Sequence, residues 1–122
     1  MEQLQIKAML EQVGVDYDKG LERFMGNVAL YHKFLLKFLN DGSYEEFVTS
    51  LSVQDMAMAE KSVHTLKGTA GNLSLMKLFQ AADDTVQAIR TAQDREEIQK
   101  LADSVGEIYR ETCDAIRKSV GD

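Results

Sequence analysis

Proline is absent from this 122-residue chain, so no segment loses a backbone donor or is barred from helix on that account. Cysteine occurs once, as Cys113, which excludes an internal disulfide. It sits at helical spacing among Ile108, Tyr109, Thr112 and Ile116 and reads as a small buried hydrophobe. Basic residues are outnumbered: 14 Lys and Arg against 20 Asp and Glu leave a formal net charge of −6 at pH 7. Phosphate backbones are bound through clustered cations, and with no basic patch a nucleic-acid partner is not expected. Long apolar runs are missing too. Met1 to Val15 alternate charged and apolar side chains and offer neither a signal peptide nor a membrane span, so a cytoplasmic protein with no membrane contact is expected. Repeats, low-complexity stretches and Gly-, Pro- or Ser-rich linkers are also lacking, which leaves one domain over residues 1–122 as the expectation. A chain of this length buries roughly two-thirds of its unfolded surface, enough for one ordinary core.

What is present is helical periodicity. Short accessory helices are predicted over about residues 3–12 and 17–24, closed by Gly14 and Gly26. A longer helix follows from Asn27 to Asn40, with Val28, Tyr31, Leu35 and Phe38 on one stripe and Asp41-Gly42 as its stop. Ser43 and Glu46 have the spacing of a capping box, and the helix they begin is predicted to bend or restart at Ser52 before running to Asn72. After a tight connection at Leu73-Ser74-Leu75, a helix to Thr91 carries Leu78, Phe79, Ala82, Val86 and Ile89 on one face and returns antiparallel. Asp94 with Glu97 marks another capping box, and Ile98, Leu101, Val105, Ile108, Thr112 and Ile116 line the last helix. The fold class expected is all-α: an antiparallel up-and-down four-helix bundle with short accessory N-terminal helices.

The chemistry lies on the segment from Met56 to Leu73. Ala59, Val63, Leu66, Ala70 and Leu73 recur at steps of four and three and face inward. A second stripe at the same steps carries Glu60, His64, Lys67, Gly68 and Gly71 outward. A glycine inside a helix costs on the order of 1 kcal/mol relative to alanine, so two of them beside an exposed histidine give up local stability. The gain is access: bare backbone lets another protein approach the imidazole. Lys67 is placed to offset charge on a phosphate attached to His64, and phosphoryl transfer asks little of a protein beyond positioning and charge compensation. The antiparallel return sets Gln80, Asp83 and Gln87 level with His64, as candidates to hydrogen-bond its second ring nitrogen. His32, flanked by Tyr31 and Lys33 and lacking a following glycine pair, reads as a solvated surface residue. The methionines, including Met25, Met56, Met58 and Met76, read as core fillers.

The run His64-Thr65-Leu66-Lys67-Gly68-Thr69-Ala70-Gly71-Asn72-Leu73 resembles the H-x-L-K-G signature of histidine phosphotransfer (HPt) domains. Upstream, Gly20 to Asn27 and then Leu30-Tyr31 are similar to that family's N-terminal segment, and Leu78 and Ala82-Asp83 fall where it has an apolar residue and a small residue before an acid. The resemblance spans Gly14 to Thr91. It implies that His64 accepts the phosphoryl group, that Lys67 stabilises it and that Gly68 keeps the docking face open. It further implies a phosphoryl carrier rather than an ATP-hydrolysing enzyme, with no cofactor of its own and with magnesium on the partner. The partners implied are response-regulator receiver domains and a hybrid sensor histidine kinase, met by a monomer through apolar side chains around the histidine. Two positions depart from the family: Ser74 stands where it commonly has glycine, and Asp83 is shorter than its usual glutamate.

Other classes fit less well. There is no phosphate-cradling glycine loop, no nucleophile elbow and no paired Cys or His ligands. A di-iron bundle needs Glu-x-x-His pairs on two helices, whereas Glu60 and His64 are four apart and have no counterpart. The alternatives kept open are a non-phosphorylated helical adaptor or inhibitor that binds a receiver or kinase, and the HPt portion of a larger sensor kinase.

Overall fold

A computed structural model describes residues 1–121; Asp122, the last residue of the expected domain, lies outside them. Among the described residues every regular element is an α-helix: α1 (Gln3–Gln12), α2 (Tyr17–Arg23), α3 (Val28–Phe38), α4 (Ser43–Ser52), α5 (Met56–Asn72), α6 (Met76–Arg90) and α7 (Arg95–Val120). Local chemistry starts and stops them. The side chains of Asp16, Asn27, Asp55 and Asp94 accept hydrogen bonds from the backbone N–H groups of Lys19, Leu30, Met58 and Glu97. Each satisfies a donor that a first helical turn leaves unpaired. Gly14 and Gly26 take φ of +84° and +76°, the left-handed conformation that closes α1 and α2.

Two boundaries differ from the sequence expectation. No capping box forms at Ser43 and Glu46, because Ser43 is already helical and Asp41 Oδ1 accepts from both its backbone N–H (2.8 Å) and its hydroxyl. A carboxylate is the stronger acceptor and takes the capping place. The helix does break at Ser52, its last residue, but the Ser52 hydroxyl donates back to the Thr49 carbonyl (2.7 Å) and does not cap the next helix. The chain instead turns through Gln54 at φ +61°, and Asp55 caps α5. Two separate helices result, and α4 folds back on α5, burying Phe47 in one cluster with Ala59, Val63, Ala82, Val86 and Ala102.

The inward stripe of α5 is as expected: Ala59, Val63, Leu66 and Ala70 are fully buried, and Leu73 nearly so. A larger cluster joins Leu66, Ala70 and Leu73 to Tyr31, Leu35 and Phe38 of α3, Leu78 of α6, and Val105, Cys113 and Ile116 of α7. Contacts between α5 and α6 pair Gly71 with Phe79, Lys67 with Asp83 and Glu60 with Arg90, so these two helices form an antiparallel hairpin. Its turn is clamped from outside. The Asp16 N–H donates to the Ser74 carbonyl (2.9 Å), the Met76 N–H donates to the Gly14 carbonyl (3.0 Å), and the Tyr31 hydroxyl donates to the Leu73 carbonyl (2.8 Å). The segments around α1, α2 and α3 thereby hold the end of the helix that carries His64.

Candidate functional site

Burial of Val63 and Leu66 on either side of His64 fixes the rotation of α5, and the imidazole is left exposed to solvent. Among the described residues no hydrogen bond reaches its ring. One turn on, Gly68 is exposed, and a Cβ built there would meet nothing within 4 Å. Bare backbone and a free imidazole therefore adjoin on one side of α5, as the spacing predicts.

Lys67 is in a different state from the one its spacing suggests. Its Nζ lies 2.8 Å from Asp83 Oδ1 and 5.7 Å from the centre of the Phe79 ring, with the side chain about three-quarters covered. Asp83 Oδ1 also accepts a long hydrogen bond from Gln87 Nε2 (3.5 Å). The Lys67 ammonium holds the Asp83 carboxyl below the usual carboxylate range; burial opposes it less strongly, and the Gln87 amide adds a still smaller lowering. Gln80 Nε2 donates to Asp84 (2.9 Å). Thus none of Gln80, Asp83 and Gln87 bonds to the His64 ring; the hairpin brings Asp83 to Lys67 instead, and Gln87 bonds to Asp83.

Gly71 is not the open position that its place on the stripe suggests. A Cβ there would stand 3.0 and 3.1 Å from carbons of the Phe79 ring, so the glycine makes room for α6 and not for a partner. Phe79 in turn supports the lysine, whose cation sits within the distance at which an aromatic face attracts it. Glu60, also on the stripe, pairs with Arg90 across the hairpin (3.2 Å). Sequence reading missed the Gly71–Phe79 and Lys67–Asp83 contacts, although the level of Asp83 on the returning helix was a usable signal.

His32 departs from expectation more plainly. It is half-buried, shares a 2.6 Å hydrogen bond with the Tyr17 hydroxyl through Nε2, and lies beside the rings of Tyr17 and Tyr31. Burial pushes its pKa below the ordinary histidine value. Aromatic neighbours from α2 and α3, which the stripe of one helix does not reveal, account for the difference. Cys113 is buried as expected, and burial raises its thiol pKa.

Among the described residues no group of three or more His, Cys, Asp or Glu side chains is placed to hold a metal ion, and no helix is long and apolar enough to cross a membrane. Comparison of the chain with family models, with curated proteins and with solved structures gives no match. The chemistry open to the site is that of an exposed nucleophilic ring nitrogen beside a charge-paired lysine on an uncluttered helix.

Proposed function

We propose that this chain is a histidine phosphotransfer protein of a two-component phosphorelay. The observation that carries the reading is the exposed His64 imidazole beside the uncovered backbone of Gly68, with Lys67 on the adjoining strip of the same helix. A neutral ring nitrogen of His64 attacks the phosphorus of a receiver's aspartyl phosphate. The N–P bond forms as the P–O bond to the aspartyl carboxylate breaks, the carboxylate leaves with the electron pair, and the second ring nitrogen retains its proton until water removes it. Reversal on a second receiver passes the group on. Magnesium, which offsets charge on the phosphoryl oxygens, belongs to the receiver. In this reading α4 to α7 form the antiparallel four-helix bundle, and α3, which the sequence expectation counted among the long bundle helices, is accessory to it like α1 and α2; the protein acts as a cytoplasmic monomer without kinase activity of its own.

The test is incubation with a receiver carrying labelled aspartyl phosphate. Label is expected on the wild-type protein and lost in His64→Gln; label that persists in this variant overturns the assignment. One observation favours a non-phosphorylated adaptor, namely that Lys67 is already neutralised by Asp83. That reading predicts receiver binding with no label on the wild-type protein, so the same assay separates the two.

A further inference from the structure

Resting on the phosphotransfer reading, we infer that Asp83 is a positioning residue that competes with a phosphoryl group on His64 for the ammonium of Lys67, and so keeps the phosphorylated state easy to discharge. Three features on the α5–α6 hairpin build this arrangement. Gly71 has no side chain where the Phe79 ring lies, with ring carbons 3.0 and 3.1 Å from the place of a Cβ. The Phe79 ring then sits 5.7 Å from Lys67 Nζ, and Asp83 takes that nitrogen at 2.8 Å with Gln87 behind it. Lys67 is drawn toward α6, while His64 one turn earlier points to solvent.

Residues at i and i+3 on a helix are neighbours, so a phosphoryl group on His64 comes within reach of the lysine. It is then a second anion for a cation already paired. Either Lys67 leaves Asp83, which uncovers a carboxylate beside a new negative group, or it stays and the phosphoryl oxygens lack their counterion. Both outcomes raise the free energy of the phosphorylated protein relative to one in which Lys67 is free. For a carrier this is useful, because a group held too well is not passed on.

The experiment loads the full-length protein with phosphoramidate, whose P–N bond breaks with release of ammonia as the N–P bond to His64 forms, and follows the phosphoryl group by phosphorus NMR across pH. A nearby free cation stabilises the phosphoryl dianion and lowers the pH at which it takes up a proton to become the monoanion. Asp83→Asn is expected to lower this midpoint by about 0.2–0.7 of a pH unit, the range for a partly exposed charge pair. In a Lys67→Met background, which keeps the side-chain stem on Phe79, the same Asp83→Asn change is expected to produce a clearly smaller shift. An equal shift in both backgrounds shows Asp83 acting directly through space and overturns the proposal, as does no shift in either. Failure of wild-type His64 to take the phosphoryl group removes the phosphotransfer reading itself and this inference with it. Phosphohistidine without the Lys67-dependent shift removes the inference alone.

Discussion

A helix interior gives up roughly 1 kcal/mol at each glycine relative to alanine, and α5 does so twice for two different reasons. At Gly71 the missing Cβ is where the Phe79 ring packs, so the loss is returned within the fold. At Gly68 nothing lies within 4 Å of the missing Cβ, and the protein gains no internal contact from it. Gly68→Ala is therefore expected to stabilise the protein by about 0.5–1 kcal/mol in urea unfolding. The same variant is expected to slow phosphoryl transfer from a phosphorylated receiver, because a methyl group then stands on the bare strip beside His64. Stabilisation with an unchanged transfer rate would remove the access role given to Gly68. Such a site, less stable than the fold allows, is the usual mark of a surface kept for function.

Between α5 and α6 the connection is short, and its geometry decides which residues face each other across the hairpin. Ser74 adopts φ +60°, is fully buried, and its hydroxyl oxygen has no hydrogen-bond partner. A left-handed conformation costs a residue with a Cβ about 1 kcal/mol, and a buried unpaired hydroxyl adds to that. Ser74→Gly is accordingly expected to raise stability by about 1 kcal/mol, read as a higher thermal midpoint. The clamp on this turn uses backbone groups of Gly14, Asp16, Ser74 and Met76, which the substitution leaves in place, so the register of Lys67 against Asp83 is unaffected. A lower midpoint for the variant would mean that the serine side chain contributes packing that outweighs its conformational cost.

For the molecule as a whole, two titrating groups tie stability to pH with the same sign. His32 has its pKa lowered from 6.5 by burial, so the folded state favours the neutral ring. Its contribution is present above 6.5 and is lost as pH falls through the lower folded value, where the unfolded chain has already bound the proton. Asp83 has its pKa lowered from 3.8, chiefly by Lys67, so its contribution holds above 3.8 and is lost as pH falls through its own folded value. Urea midpoints measured over a pH series are expected to fall on acidification in two stages. His32→Gln, which keeps a partner for the Tyr17 hydroxyl, should remove the upper stage and leave the lower one. Retention of the upper stage in this variant would assign it to other groups.

Sequence alone determined a good deal here. Steps of three and four named the buried side of α5 and, by exclusion, the exposed side with His64 and Gly68, because rotation about a helix axis is dictated by which residues leave water. It determined most helix ends as well, since side-chain caps and left-handed glycines act over three or four residues. Only the tertiary structure decided that α4 folds back on α5, that Asp83 serves Lys67 and not the His64 ring, that Gly71 accommodates Phe79, and that His32 is held by Tyr17. Each of these joins residues on different elements, and which groups meet depends on the register with which helices dock. Periodicity says which way a side chain faces, and only docking says what it finds there.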